Sequence, residues 1–138
     1  MSRVMKILLL IAAALAALML YIRLAPSDPD RWHATPTQTE DTNLSGGAVR
    51  VLTAPREDFV ALDAIIRDTP RTQVLAGSVD ENKVTYITRS AFWGFPDYTT
   101  VDYAQGRLRV FGRLRFGQSD LSVNAKRIDG WLERLRQG

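Results

Sequence analysis

The chain has 138 residues, a net charge of +3 and no cysteine. That length holds one modest domain. Without cysteine there are no disulfides, no thiol nucleophile and no thiolate-bound metal, although the compartment stays open on that ground.

Arg3 and Lys6 precede an uninterrupted apolar run, Ile7–Ile22, extended by Val4, Met5, Leu24 and Ala25. A membrane-spanning helix needs roughly 20 mostly apolar residues. A cleaved secretory signal would close with small residues around its cut. This run instead leaves through Tyr21-Ile22-Arg23-Leu24-Ala25-Pro26, with Arg23 where a small residue is wanted and Pro26 just past the one candidate cut. Residues 1–24 therefore read as an uncleaved signal-anchor transmembrane helix. The two cations and the terminal amine favour an N-terminus inside. The expectation is a single-pass protein of the inner (cytoplasmic) membrane with its C-terminal part in the periplasm.

Residues 25–46 read as a flexible linker rich in Pro, Thr and Gly, closed by Gly46-Gly47. They show no apolar periodicity that would pack a core. The domain is expected over 47–138. A short strand around Val49 and Val51 leads to a helix from about Pro55 to Asp68, in which Phe59, Leu62 and Ile66 recur at helical spacing. Glu57 and Asp58 suit its positive first turn and Arg67 its negative last turn. Four strands follow: Gln73–Val79, Lys83–Phe92, Asp97–Ala104 and Arg107–Phe116, the last two joined across Gln105-Gly106. A final helix capped by Ser119 places Leu121, Ala125, Ile128, Leu132 and Leu135 on one stripe. The order β-α-β-β-β-β-α predicts an α+β fold, a two-layer sandwich with an antiparallel sheet and two helices on one face. TATA-binding-protein-like and helix-grip folds have similar orders, an analogy that carries no function.

The last hairpin separates two faces by alternation. Val101, Tyr103, Leu108, Val110 and Leu114 point to the core side. Arg107, Arg109, Phe111, Arg113 and Arg115 point the other way, with Tyr98 opposite Arg113 and Asp102 opposite Arg109. Four guanidiniums on one face make a candidate anion-binding surface for phosphate or carboxylate. A solvated face that guards the sheet against aggregation accounts for the same pattern.

On the final helix Asp120, Asn124, Arg127 and Trp131 form a second stripe. With Asp97 from the preceding aromatic turn, Asp97, Asp120, Asn124 and Arg127 make a candidate polar site. The same residues would equally serve as a structural clasp for the helix start.

Two blocks carry a family resemblance. Arg89-Ser90-Ala91-Phe92-Trp93-Gly94-Phe95-Pro96-Asp97 is an aromatic-Gly-aromatic turn ending in Asp. Arg113 to Ile128 contains Arg115, Gly117, Ser119-Asp120, Asn124 and Arg127. The pattern resembles the bacterial and plastid family catalogued as a domain of unknown function, number 1499, with Ser122 standing where that pattern has Gly. The resemblance implies no activity and no catalytic residues.

His33, in the linker, is the one histidine and reads as solvated. Serine-histidine triads and histidine-rich metal sites are therefore excluded, and no glycine-rich phosphate loop follows a strand. No cofactor, metal or catalytic residue is expected. The function expected is a membrane-anchored, periplasm-facing, non-enzymatic accessory or binding domain. Its expected partners are the membrane and an anionic lipid, envelope component or protein, not nucleic acid. A carrier of an apolar ligand, with a cavity lined by Phe59, Tyr103, Val110 and Trp131, is one alternative. A hydrolase using Asp97 and Asp120 is another.

Overall fold

The apolar run and the alternating strands recur in a computed structural model, which describes residues 1–138. In chain order the elements are α1 (Arg3–Leu24), α2 (Pro29–Trp32), β1 (Thr42–Leu44), β2 (Gly47–Thr53), α3 (Arg56–Arg67), β3 (Thr72–Ser78), β4 (Lys83–Arg89), β5 (Pro96–Ala104), β6 (Arg107–Leu114) and α4 (Val123–Gln137). The strands form one antiparallel sheet in the order β1-β2-β6-β5-β4-β3. The class is α+β, and α3 and α4 share one face of the sheet.

That face holds the core. Phe59, Leu62 and Ile66 of α3 and Ala125, Ile128 and Leu132 of α4 are buried against Ala48, Val84, Tyr86, Val101, Leu108 and Val110. Removing such a set from water is the main stabilising term of the fold. Trp131, which its spacing places on the polar stripe, lies in this core as well, and its indole N–H donates to Thr69 Oγ1 at 2.9 Å. The β5–β6 hairpin turns through Gln105 and Gly106 at φ 55° and 74°. Two positive φ values in a two-residue loop match the right-handed twist of the strands, and glycine takes the second without steric cost. The register pairs Asp102 with Arg109, Thr100 with Phe111 and Tyr98 with Arg113, as alternation predicts.

Three elements are shorter than their composition predicts, among them β6, which ends at Leu114 rather than Phe116. β4 stops at Arg89 rather than Phe92, because Ser90 closes a loop: its N–H donates to Phe95 O at 3.0 Å and its hydroxyl accepts from Phe95 N at 2.9 Å. α4 begins at Val123, not after Ser119. Leu121 and Ser122 are left-handed, at φ 53° and 65°, so the turn throws Leu121 off the apolar stripe and leaves it 82% exposed. Only glycine takes that backbone region freely. The position where the family pattern has Gly and this chain has Ser122 is therefore one where the backbone itself favours glycine.

The segment read as a flexible linker is folded onto the second face of the sheet. β1 pairs with β2, and α2 lays Trp32 on Tyr98, with ring centroids 4.1 Å apart and 16° between planes. Trp32, Tyr98 and Ile87 form a second apolar cluster, packed against Leu75. His33 is half-buried rather than free in solvent, with its Nδ1 2.7 Å from Thr85 Oγ1. The sheet thus has α3 and α4 on one side and a strap of residues 25–41 on the other.

α1 is 22 residues long and exposes apolar side chains along most of its length. It is long and apolar enough to cross a membrane. Its last turn is not a free tether. Ile22 is buried, Arg89 donates to Ile22 O at 3.3 Å, Arg23 donates to Phe92 O, and Tyr21 meets Phe116 edge-on at 6.2 Å.

If Trp32 holds the strap, Trp32→Ala should cost about 3 kcal/mol, the lower end for a buried Trp→Ala change. Amide exchange should speed up across residues 26–41 while α3 and α4 stay protected. Unchanged exchange in that segment would show that the strap is held without Trp32.

Candidate functional site

The four arginines expected to form an open anion-binding face do share one face, and the chain itself occupies them. Arg107 donates to Thr39 O at 2.8 Å, Arg109 to Pro36 O at 3.1 Å and Arg115 to Pro26 O at 2.9 Å, and Arg113 donates to Trp32 O. Each guanidinium ties a carbonyl of the strap, a segment with few backbone partners of its own. Covered carbonyls need donors, and at Trp32 and Pro36 side chains supply them, while the bonds to Pro26 and Thr39 lie at the exposed ends of the strap. Arg109 also pairs with Asp102, with Nε 3.0 Å from Oδ1.

Arg113 is the most enclosed of the four. Its guanidinium stacks on Phe111 at 4.3 Å, and its NH1 donates to Thr100 Oγ1 at 2.9 Å. Burial lowers its pKa to about 10, against a smaller raising influence from Tyr98. It therefore stays charged at neutral pH. His33 sits nearby, and burial, Lys83 and Arg113 together lower its pKa despite the opposing charge of Glu81. Composition hides this layer because Trp32 and His33 stand alone in a polar stretch. The one available signal is a tryptophan with no apolar neighbours.

The polar site predicted from Asp97, Asp120, Asn124 and Arg127 is brought together. Asn124 is fully buried, and its amide donates to Asp120 Oδ2 at 3.0 Å and to Asp97 Oδ2 at 3.3 Å. Arg127 NH1 donates to Asp97 Oδ2 and to Asn124 Oδ1, both at 3.1 Å. Asp120 also takes the role expected of Ser119: its carboxylate accepts the backbone N–H groups of Ser122 and Asn124, each at 3.0 Å. These would otherwise be orphan donors at the helix start. Gly112 lets α4 approach this closely, since a Cβ there would lie 2.8 Å from Asn124 Oδ1. A cleft of about 210 Å³ opens beside the cluster, lined in part by Asp97, Asp120, Arg127, Phe95 and Phe116.

Burial raises the pKa of Asp97 above the ordinary carboxylate value, and Asp120 pushes in the same direction. Attraction to Arg127 and hydrogen bonds from Arg127 and Asn124 pull it down without reversing the shift. Desolvation thus outweighs the ion pair here, as is common for enclosed pairs.

The positions of an apolar-ligand cavity are filled. Phe59, Val110 and Trp131 are core residues, and Tyr103 stacks on Phe59 at 5.8 Å while its hydroxyl donates to Ala54 O at 2.8 Å. Asp97 and Asp120 do meet, through the amide of Asn124, with Asp97 accepting on Oδ2 and Asp120 on both oxygens.

Two outcomes test this cluster. Asn124→Ala strands Asp97, Asp120 and Arg127 and should lower stability by about 1–3 kcal/mol in chemical denaturation. Asp97→Asn should change the pH profile. A raised folded-state pKa means that the folded state holds the Asp97 proton more tightly than the unfolded chain. Stability from this group is therefore lost as pH rises from about 4 through the folded value. The stability of the wild type relative to Asp97→Asn should fall across that window. If it rises instead, the Arg127 ion pair outweighs burial.

No curated protein matches the chain. The model of a protein family of unknown function, DUF1499, matches residues 22–135. That span starts at the buried Ile22 and includes the whole strap together with both sequence blocks. The chain belongs to the DUF1499 family.

Proposed function

We propose that this protein is a single-pass, membrane-anchored binding domain, exposed on the periplasmic side of the inner membrane, whose working surface is the end held against the bilayer. The observation that carries this reading is the docking of the last turn of α1. Ile22 is buried in the domain, and Arg23 and Arg89 bond across the junction. A domain joined in this way keeps one end at the membrane surface instead of swinging on a linker.

The same end carries exposed apolar residues. Phe92 is 69% exposed and Phe95 38%, on the loop that Arg23 grips, with Trp93 between them and Phe116 beside Phe95. Tryptophan favours the headgroup level of a bilayer, and exposed phenylalanines beside it suit the apolar boundary just below. Since the strap lies across the sheet face that carries the β6-side arginines, the binding surface moves from that face to this end.

A second reading has one observation in its favour. Asp97, with its raised pKa, and Asp120 converge beside a cleft, as general acid–base chemistry would require. The clasp role of both carboxylates favours binding over hydrolysis.

A reporter fused after Gly138 should be active only outside the cytoplasm, and the membrane-bound protein should keep Met1 or Ser2 at its N-terminus. A product beginning near Pro26 in the membrane-free fraction would overturn the anchored reading.

A further inference from the structure

We propose that a cleft at the foot of α1 binds the phosphate of an anionic phospholipid headgroup through Arg23, Arg71 and Arg89. The inference rests on the anchored reading above and names a ligand for that end of the domain. The cleft is the largest of those described here, about 400 Å³, and its wall includes those three arginines with Thr72, Gln73 and Ser90. No acidic side chain lines it. None of the three arginines has a carboxylate partner, whereas Arg50, Arg67, Arg109, Arg127, Arg134 and Arg136 all do.

Their existing bonds position the three cations without neutralising them. Arg89 donates to Gly94 O at 2.9 Å and to Ile22 O at 3.3 Å, and Arg71 Nε donates to Arg89 O at 3.0 Å. Arg23 packs across Gly94, where a Cβ would lie 2.9 Å from its Cγ, so the glycine at φ 76° also makes room for this side chain. Arg71 is itself left-handed at φ 56°. Carbonyl acceptors leave each guanidinium its full charge and spare N–H donors, and such a fork matches phosphate oxygens.

The height of the cleft is set by α1. Twenty-two residues at a helical rise of 1.5 Å span about 33 Å, close to the ~30 Å hydrocarbon core plus its boundary. Arg23, in the last turn, therefore lies where lipid phosphates begin, with Arg71 and Arg89 beside it. A soluble phosphate offers the same chemistry, but only a lipid is held at that level by the membrane.

The test uses the full chain in nanodiscs containing phosphatidylglycerol and phosphatidylcholine in equal amounts, released for native mass spectrometry. Wild type should retain phosphatidylglycerol preferentially. Arg71→Gln, exposed and outside the α1 junction, should reduce that retention, and Arg71→Gln with Arg89→Gln should reduce it by about tenfold or more, the scale of losing charge-assisted bonds. Arg107→Gln, at the opposite end of the sheet, should leave it unchanged. Melting curves are recorded for each variant, and the Arg71→Gln result stands if Arg89→Gln unfolds the junction. Equal retention of the two lipids, retention unaffected by Arg71→Gln in a folded protein, or complete displacement by millimolar inorganic phosphate would overturn the lipid assignment. Fractionation of the same variants scores anchoring separately, so a membrane-retained protein without preferential lipid counts against the cleft alone.

Discussion

A backbone carbonyl needs a donor when it is covered, and β6 with the residue after it extends four side-chain donors to the strap. Arg107, Arg109, Arg113 and Arg115 each hold one strap carbonyl, spaced along residues 26–39. The consequence reaches well beyond those bonds. The strap brings Trp32 onto Tyr98 and covers a sheet face that also carries Ile87, Val49 and Phe111. Without it, a six-stranded sheet would have helices on one face and a row of half-apolar residues in water on the other. Arginine suits the task because its long stem lies along the sheet while its planar head reaches outward to several acceptors.

The strap also joins the first helix to the sheet. It runs from the end of α1 across the sheet to β1 as a held segment. Ile22, Arg23 and Arg89 close that connection at one end. The aromatic loop from Phe92 to Phe95 and the cleft of Arg23, Arg71 and Arg89 both lie at this junction. Both sets of arginines bond backbone carbonyls; Arg109 under the strap also pairs with Asp102, and those at the junction have no carboxylate partner.

The polar cluster at the start of α4 solves a different problem. Leu121 and Ser122 turn left-handed before the helix, so no Ser119 cap can reach its first amides in the ordinary way. Asp120 accepts from two of those amides, and Asn124 ties it to Asp97 on β5. Gly112 leaves the space for that buried amide. Burial raises the pKa of Asp97 in spite of the bonds it receives from Arg127 and Asn124.

Local periodicity made much of this protein legible in one dimension. The apolar run before Arg23, the Phe59-Leu62-Ile66 stripe, the β5–β6 register and the placing of Asn124 and Arg127 on one edge of α4 all follow from spacings within a few residues. The α+β class and the family resemblance follow with them. Contacts distant in sequence were not legible. Trp32 is separated from Tyr98, Arg113 from Trp32 O, and Arg23 from Phe92 O by 66, 81 and 69 residues respectively. Nothing periodic in residues 25–41 announces a segment whose order comes from a partner elsewhere in the chain. Alternation could place four arginines on one face, but only the tertiary structure brings the strap's backbone carbonyls onto them.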